Sequence, residues 1–493
     1  MTDVEGLGRH SDWSGVRAVV AGFGVSGFAA ADTLVHLGAQ VVALDESEAG
    51  GRGDKSERAE LLTVLGADVR LGPGSTATLP EHVDLVVTSP GWRPDAPLLA
   101  QAAERGVPVW GEIELAWRVR DLARPAPWLV VTGTNGKTTT VRMLASILEA
   151  AGLRVAACGN VGRPVLEAVM DPEPYDVLAV ELSSFQLHWS SSVAAESAAV
   201  LNVAEDHVDW HGTFEEYAAA KGKAYEGVQR ACVYNVADAR TEQLVRDADV
   251  VEGARAVGFT LGVPAPGMVG VVEDVLADRA FVAARRDSAA ELCQIGDLFS
   301  PAPHVVADAL AAAALARAHG VEPVHVRDGL RSFRPDAHRI ALVAEQHGIT
   351  WVDDSKATNP HAASSSLGAY EPVVWVAGGL AKGATFDELV ATHAARLRGV
   401  VLLGRDRAVV AEALRRHAPD VPVFDTGDGE DGVMERVVRA AADLAEAGDT
   451  VLMAPGCASM DQFADYADRG TKFASAVRHH LGVAGDPGAS GGT

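Results

Sequence analysis

Gly133-Thr134-Asn135-Gly136-Lys137-Thr138-Thr139 carries the clearest chemistry in this 493-residue chain. Glycines let backbone N–H groups approach a polyphosphate, and a helix N-terminus favours negative charge. Lys137 is placed to reach β/γ-phosphates and the Thr138 hydroxyl to ligate Mg²⁺. Gly133 precedes Lys137 by four residues, so the loop is shorter than the GxxxxGK[ST] form. A second centre is Glu181, at the end of the apolar run 175–180. It could cap a helix or bind Mg²⁺; hard cations take carboxylate oxygen beside phosphates, which favours the metal. A third is Glu205-Asp206-His207-Val208-Asp209, also at a strand end.

Lysine usage sharpens these choices. Of 42 basic residues only seven are lysine: Lys55, Lys137, Lys221, Lys223, Lys356, Lys382 and Lys472. Where Arg serves for most cations, a retained Lys suggests a compact ammonium or a titratable amine. Lys55, within Gly50-Gly51-Arg52-Gly53-Asp54-Lys55, reads instead as a solvated surface residue. Asp353-Asp354-Ser355-Lys356-Ala357-Thr358-Asn359, Gly378-Gly379-Leu380-Ala381-Lys382 and Ala454-Pro455-Gly456-Cys457-Ala458-Ser459 are polar loops after apolar strands. Together they suggest one anion-binding cleft. Gly22-Phe23-Gly24-Val25-Ser26-Gly27, with Asp45 further on, imitates a dinucleotide fingerprint, but the motif alone does not choose between NAD and another nucleotide.

The elements that must position these groups alternate strand and helix, which predicts an α/β protein with mostly parallel sheets. Strands are expected at 17–21, 39–44, 83–88, 128–132, 175–180, 350–353, 373–377, 400–403 and 450–453, and helices at 141–150, 214–227 and 305–319. Three domains are expected. Residues 1–125 form a Rossmann-like domain closed by the Pro-rich segment 123–127. Residues 126–335 form a P-loop ATPase-type domain, and 336–493 a second Rossmann-like domain with a disordered tail at 482–493.

A formal net charge of −25 argues against nucleic-acid or anionic-membrane partners. Cys158, Cys232, Cys293 and Cys457 lack metal-type spacing and read as reduced thiols. No signal segment or membrane-length apolar run is found, so a cytoplasmic protein is expected.

Taken in order, TSPG, TGTNGKTT, ELSSFQL, NVAEDHVD, AAK, DDSKATNP, AGGLAKG and PGCASMDQF resemble the Mur ligase family over about residues 19–473. These are ATP-dependent ligases that extend the peptidoglycan stem peptide. The short GTNGKT loop is the family's form. The resemblance implies that Gly133, Thr134, Asn135, Gly136, Lys137, Thr138 and Thr139 bind ATP phosphates, joined by Arg339 and Asp354. It implies a magnesium site at Thr138, Glu181, His207 and Lys221, with Lys221 carbamylated. His207 has proton removal from the amine as an alternative task, and Lys356 serves the acyl-phosphate side. Val25, Ser26, Asp45, Ser89 and Asn160 would contact a UDP-linked substrate. Thr358, Lys382, Ser459 and Tyr466 would hold an incoming amino acid.

DSKATN resembles the branch of the family that adds D-glutamate. The expected substrates are therefore UDP-N-acetylmuramoyl-L-alanine, D-glutamate and ATP, with Mg²⁺, on a monomer whose third domain closes over the nucleotide. Two positions depart. The family's HNxxN reads His304-Val305-Val306-Ala307-Asp308, which leaves the adenine contact unassigned. Glu46-Ser47 stand where Thr-Arg is expected, so other groups must neutralise the diphosphate. A folylpolyglutamate-type ligase and an NAD-dependent oxidoreductase are the alternatives.

Overall fold

A computed structural model describes residues 3–48, 55–335, 337–427, 429 and 432–483. Beyond Val483, the expected tail lies outside the described residues. The chain forms two compact units, Met1–Leu298 with Ala307–Phe333, and Phe299–Val306 with Arg334–Thr493.

The first unit holds two sheets. One consists of β1 (Arg17–Ala21), β2 (Gln40–Asp45), β3 (Asp68–Leu71), β4 (Leu85–Thr88) and β5 (Val109–Gly111). All are parallel, in the order β3-β2-β1-β4-β5. The order reverses between β1 and β4, and open α/β sheets bind ligands in the crevice at that point. Gly22 and Gly27 make the turn after β1 possible. Gly22 has φ +96°, and a Cβ on Gly27 would stand 1.9 Å from the Gly22 carbonyl oxygen.

The other sheet contains β6 (Trp128–Thr132), β7 (Val155–Gly159), β8 (Val177–Glu181), β9 (Ser197–Val200), β10 (Ala231–Asn235), β11 (Arg255–Phe259), β12 (Met268–Val272), β13 (Val275–Asp278) and β14 (Ala290–Gln294). Its order is β14-β13-β12-β11-β10-β9-β6-β8-β7. The strands from β7 to β12 pair in parallel, while β13 and β14 add an antiparallel edge that the strand–helix alternation did not indicate. β6 and β8 are buried along their whole length, as strands covered on both faces must be. One apolar core runs from Trp13 and Ile113 through Trp128 to Tyr217 and Tyr225. The Pro-rich segment 123–127 connects these two sheets, and apolar residues of both enter the shared core.

The second unit is built on β15 (Ala341–Gln346), β16 (Ile349–Asp353), β17 (Val373–Gly378), β18 (Leu397–Leu403), β19 (Val423–Asp425) and β20 (Thr450–Met453), in the order β15-β16-β20-β17-β18-β19. Only β15 runs antiparallel. Alternate residues supply two cores, one on each face: Val352 and Trp375 enter one, Trp351 and Val374 the other. The helix expected at 305–319 spans Pro303–His319. The stretch expected to be helical over 214–227 is helical over Phe214–Gly222 and continues as a short 3₁₀ turn, Lys223–Tyr225.

Candidate active site

The phosphate loop connects β6 to the helix Lys137–Ala150. Gly136 is its N-cap, at φ +83°, and a Cβ there would stand 2.3 Å from Asp308 Oδ1. Gly136 has no side chain to cap this helix, and the helix N-terminus favours an anion. Asn202, just beyond β9, braces the loop. Its Oδ1 accepts from the Asn135 N–H (2.8 Å) and its Nδ2 donates to the Asn135 carbonyl (3.1 Å). Thr134 is held by the Asn202 carbonyl and, through its hydroxyl, by Tyr217 at 2.9 Å. Lys137 Nζ donates to the Gly133 and Thr134 carbonyls at 2.9 and 2.8 Å, folding the ammonium over the loop. Thr138 and Thr139 are buried at its base.

Lys221 joins this loop from the helix Phe214–Gly222. It is 2% exposed, donates to the Gly133 carbonyl at 2.7 Å, and lies 4.5 Å from the centre of the Tyr217 ring. Burial, then the charge of Lys137, pushes its pKa well below the usual ammonium value. Both effects work toward the neutral amine. Glu181 ends β8 at 1% exposure. Its Oε1 accepts from Asn160 Nδ2 at 2.8 Å, while Oε2 is buried with no hydrogen-bond partner among the described residues. A buried carboxylate oxygen without a partner is costly, and a hard cation beside bound phosphates would supply one. His207 sits at φ +52° before a short helix, its ring 4.7 Å from that of Phe185. Burial and the charges of Lys221 and Lys137 hold its imidazole below the ordinary range, against the pull of Asp206.

Among the described residues no three His, Cys, Asp or Glu side chains gather into a metal cage. Magnesium needs none: it keeps several waters and binds through one or two carboxylates plus substrate phosphates. Glu181 could supply one such carboxylate, and Thr138, His207 and Lys221 lie in the same unit. Lys223, singled out for its rarity, is structural, donating to the His188 and Ser190 carbonyls.

At the crevice after β1 and β4, the helix Val25–His36 also begins without a side-chain cap. Val25 is exposed and Ser26 partly so. Ser89 Oγ is buried without a partner among the described residues. Asp45 accepts from the Phe23 N–H at 2.6 Å and from Ser47. Burial works against its charge, but the bonds from Ser47 and Phe23 and the Lys55 charge outweigh it, leaving its pKa lowered. Lys55, expected on a solvated face, keeps 26% of its side chain exposed and pairs with Asp45, its Nζ 3.4 Å from the carboxylate. Glu46 faces the other way, accepting from the Gly74 and Thr76 N–H groups.

In the second unit, the loop after β16 carries Asp354, buried and accepting a short bond from Ser366 Oγ. Burial pushes Asp354 up to about 6, against the bond from Ser366 and the nearby Arg339 charge. Lys356 Nζ stands 5.0 Å over the Tyr466 ring, a cation–π distance. Thr358 follows, partly buried. Ser459 is buried in the loop after β20, and Lys382 is exposed at φ +50° in the loop after β17. Those two loops are tied by a backbone pair, with Leu380 and Ala458 exchanging N–H···O bonds of 2.8 and 3.0 Å. Three loops expected to form one cleft therefore do stand at neighbouring strand ends.

Three family models match in series. Residues 16–111 match the Mur ligase MurD-like N-terminal domain, 131–295 the Mur ligase middle domain, and 338–457 the Mur ligase glutamate ligase domain. The UDP-N-acetylmuramoylalanine--D-glutamate ligase of Streptomyces avermitilis is 62% identical over 470 residues, covering 95% of this chain and 99% of the relative. The protein of the same name from Leifsonia xyli is 54% identical, covering 98% and 96%.

The chain belongs to the Mur ligase family.

Solved structures agree at the level of fold. MurC from Thermotoga maritima superposes with a TM-score of 0.55 at 18% identity, covering 95% of this chain and 99% of that one. MurF from the same organism, in complex with ADP, gives 0.54 at 17%, covering 98% and 99%. Escherichia coli FolC in complex with ADP gives 0.50 at 21%, covering 72% and 90%.

As a Mur ligase the chain places its phosphate loop, Glu181 and Lys221 together in one unit, and its DSKATN, GGLAK and PGCAS loops together in the other. Residue types had not pointed to Asn202, Tyr217, Lys55 or Arg469, which support these groups. The asparagine beside a strand end was the available signal for Asn202. For Arg469, in a helix with other basic residues, there was none.

Proposed function

We propose that this Mur ligase joins D-glutamate to UDP-N-acetylmuramoyl-L-alanine, using ATP and releasing ADP and phosphate. The observation that carries the proposal is the near full-length match, at 62% identity, to a ligase of that name. The chemistry at the phosphate loop supports it. A carboxylate at neutral pH is a poor electrophile, so ATP phosphorylates it. The amine of D-glutamate attacks the acyl phosphate, and phosphate leaves from the tetrahedral intermediate as the amide forms.

In this reading Lys137 and the loop N–H groups neutralise the transferring phosphoryl group. Lys221 reacts as a free amine with carbon dioxide, giving a carbamate and a proton. Thr138, Glu181, His207 and that carbamate would hold Mg²⁺, which would supply charge neutralisation to the phosphates. Val25, Ser26, Asp45, Ser89 and Asn160 bind the UDP-linked substrate. Arg339, Asp354 and Lys356 serve the nucleotide and the acyl phosphate, and Thr358, Lys382, Ser459 and Tyr466 the glutamate. We assign these tasks to residues 1–125, 126–335 and 336–493 as three domains of a cytoplasmic monomer. No helix of the described residues is long and apolar enough to cross a membrane.

The test is phosphate release from ATP and Mg²⁺ with UDP-N-acetylmuramoyl-L-alanine, adding D-glutamate, L-glutamate, meso-diaminopimelate or D-Ala-D-Ala in turn. Release with D-glutamate alone is expected. Release with another amine keeps the mechanism and overturns the acceptor. No release with any of them overturns the ligase reading.

A further inference from the structure

We propose that Arg469 is a positioning residue for the amino-acid half of the site. Its guanidinium fixes the loop after β16 against the loop after β20, and so sets the spacing of the groups that grip the acceptor's carboxylates. The identity of that acceptor rests on the proposed function.

β16 and β20 are adjacent parallel strands whose ladder ends at Asp353 and Met453. Past that point two main-chain bonds still join the chains, from the Asp354 N–H to the Met453 carbonyl at 2.8 Å and from the Gly456 N–H to the Ala357 carbonyl at 2.9 Å, and Thr358 and Ser459 both lie beyond them. Arg469, in the first turn of the helix Tyr466–Leu481, enters between the two loops and is 0% exposed. Its Nε donates to Ser355 Oγ at 2.9 Å and its Nη2 to the Ser355 carbonyl at 2.8 Å. Its Nη1 donates to the Cys457 carbonyl at 3.1 Å. Ser355 is further fixed by its hydroxyl, which donates to the Tyr466 carbonyl, and by its N–H, which donates to Asp353.

Every acceptor of this cation is neutral; among the described residues no carboxylate pairs with it. Burial lowers its pKa to about 10, which leaves it charged at neutral pH. The carboxylates of Asp461 and Asp353 offset part of the cost of burying this charge without bonding to it, and an apolar side chain would fill the same volume with less penalty. What an apolar side chain cannot do is bridge two loops. The planar fork of Arg reaches three acceptors in fixed directions; the single ammonium of Lys cannot reproduce that geometry. On its other side the β20 loop is held by the Leu380–Ala458 backbone pair. Arg469 therefore adds directed side-chain bonds to the Gly456–Ala357 main-chain bond between the Thr358 and Ser459 loops, in a chain of links that runs on to the Lys382 loop.

The experiment compares the full-length wild type with Arg469→Lys and with Ser355→Ala, which removes one of the three acceptors. Steady-state constants are measured for each substrate, and amide exchange is followed in segments 354–359 and 456–459. For Arg469→Lys the KM for D-glutamate should rise about tenfold or more, with KM for the UDP-linked substrate within about twofold. Exchange should accelerate in both loops while β17 and β20 stay protected. Ser355→Ala should move the same quantities less, and it carries the test should Arg469→Lys not fold. Two results would overturn the proposal: unchanged KM and exchange in the folded variants, or all constants changing together with Tm. Absence of D-glutamate turnover in the wild type would overturn the function instead, and the exchange data would still decide the role of Arg469.

Discussion

Lys221 Nζ lies 2.7 Å from the carbonyl oxygen of Gly133, the first glycine of the phosphate loop. An amine used only as a cation gains little from burial beside Lys137, because each charge disfavours the other. An amine that becomes a carbamate avoids this, since it carries negative oxygens toward a metal and the ammonium of Lys137. Lys221→Ala should lower the rate of phosphate release by at least about a hundredfold. Added acetate or formate should restore part of it, and Lys221→Arg should show no such rescue. Full activity in the Ala variant would remove the carbamate from the mechanism.

Glu181 gives a second prediction. Glu181→Gln keeps the bond from Asn160 but removes the charge from the unpaired oxygen. The magnesium concentration for half-maximal activity should rise about tenfold or more. A magnesium titration of phosphate release that superposes on the wild type would show that this carboxylate does not hold the metal.

Gly136 and Asp308 should couple. An alanine at Gly136 must adopt φ +83° and bring its Cβ to 2.3 Å from Asp308 Oδ1. The backbone conformation alone costs about 1–2 kcal/mol. Gly136→Ala should therefore lower Tm and raise the KM for ATP. Adding Asp308→Ala relieves the collision but not the backbone, so the double variant should be more stable than the two single effects summed. Strict additivity in Tm would mean that the two residues do not meet.

Asp354 should leave a signature in pH. Its carboxyl, ordinarily near 3.8, is pushed up to about 6 in the folded chain. Below 3.8 both states hold the proton. Between 3.8 and about 6 the folded state holds it and the unfolded state does not, so stability falls as pH rises through this window. Above it both are ionised and the full penalty remains, at most about 3 kcal/mol. Asp354→Asn should thus flatten the pH dependence of Tm between pH 4 and 6 and raise Tm at neutral pH while lowering activity. Parallel curves for the two proteins would contradict the buried carboxylate.

Much of this was legible in the residues. β1, β6 and β20 fall where their apolar runs do, because buried strand residues are mostly apolar. The phosphate loop declared itself through glycines that the backbone requires. The antiparallel β13 and β14 were not legible, since their pairing is decided across the sheet rather than within the run. Lys55 follows a Gly-rich, charged stretch that reads as surface, and only the fold brings it back to Asp45. Asn202 and Arg469 act mostly through backbone groups, which residue types do not advertise.

The link between Leu380 and Ala458 is made entirely of main-chain atoms. Its existence does not depend on which side chains those positions carry. The loops after β17 and β20 can therefore exchange their gripping residues over evolution without losing their mutual placement. A ligase that adds a different amino acid could arise on this frame by side-chain substitution alone, and an engineer seeking a new acceptor should alter residues 382 and 459 before altering the length of either loop.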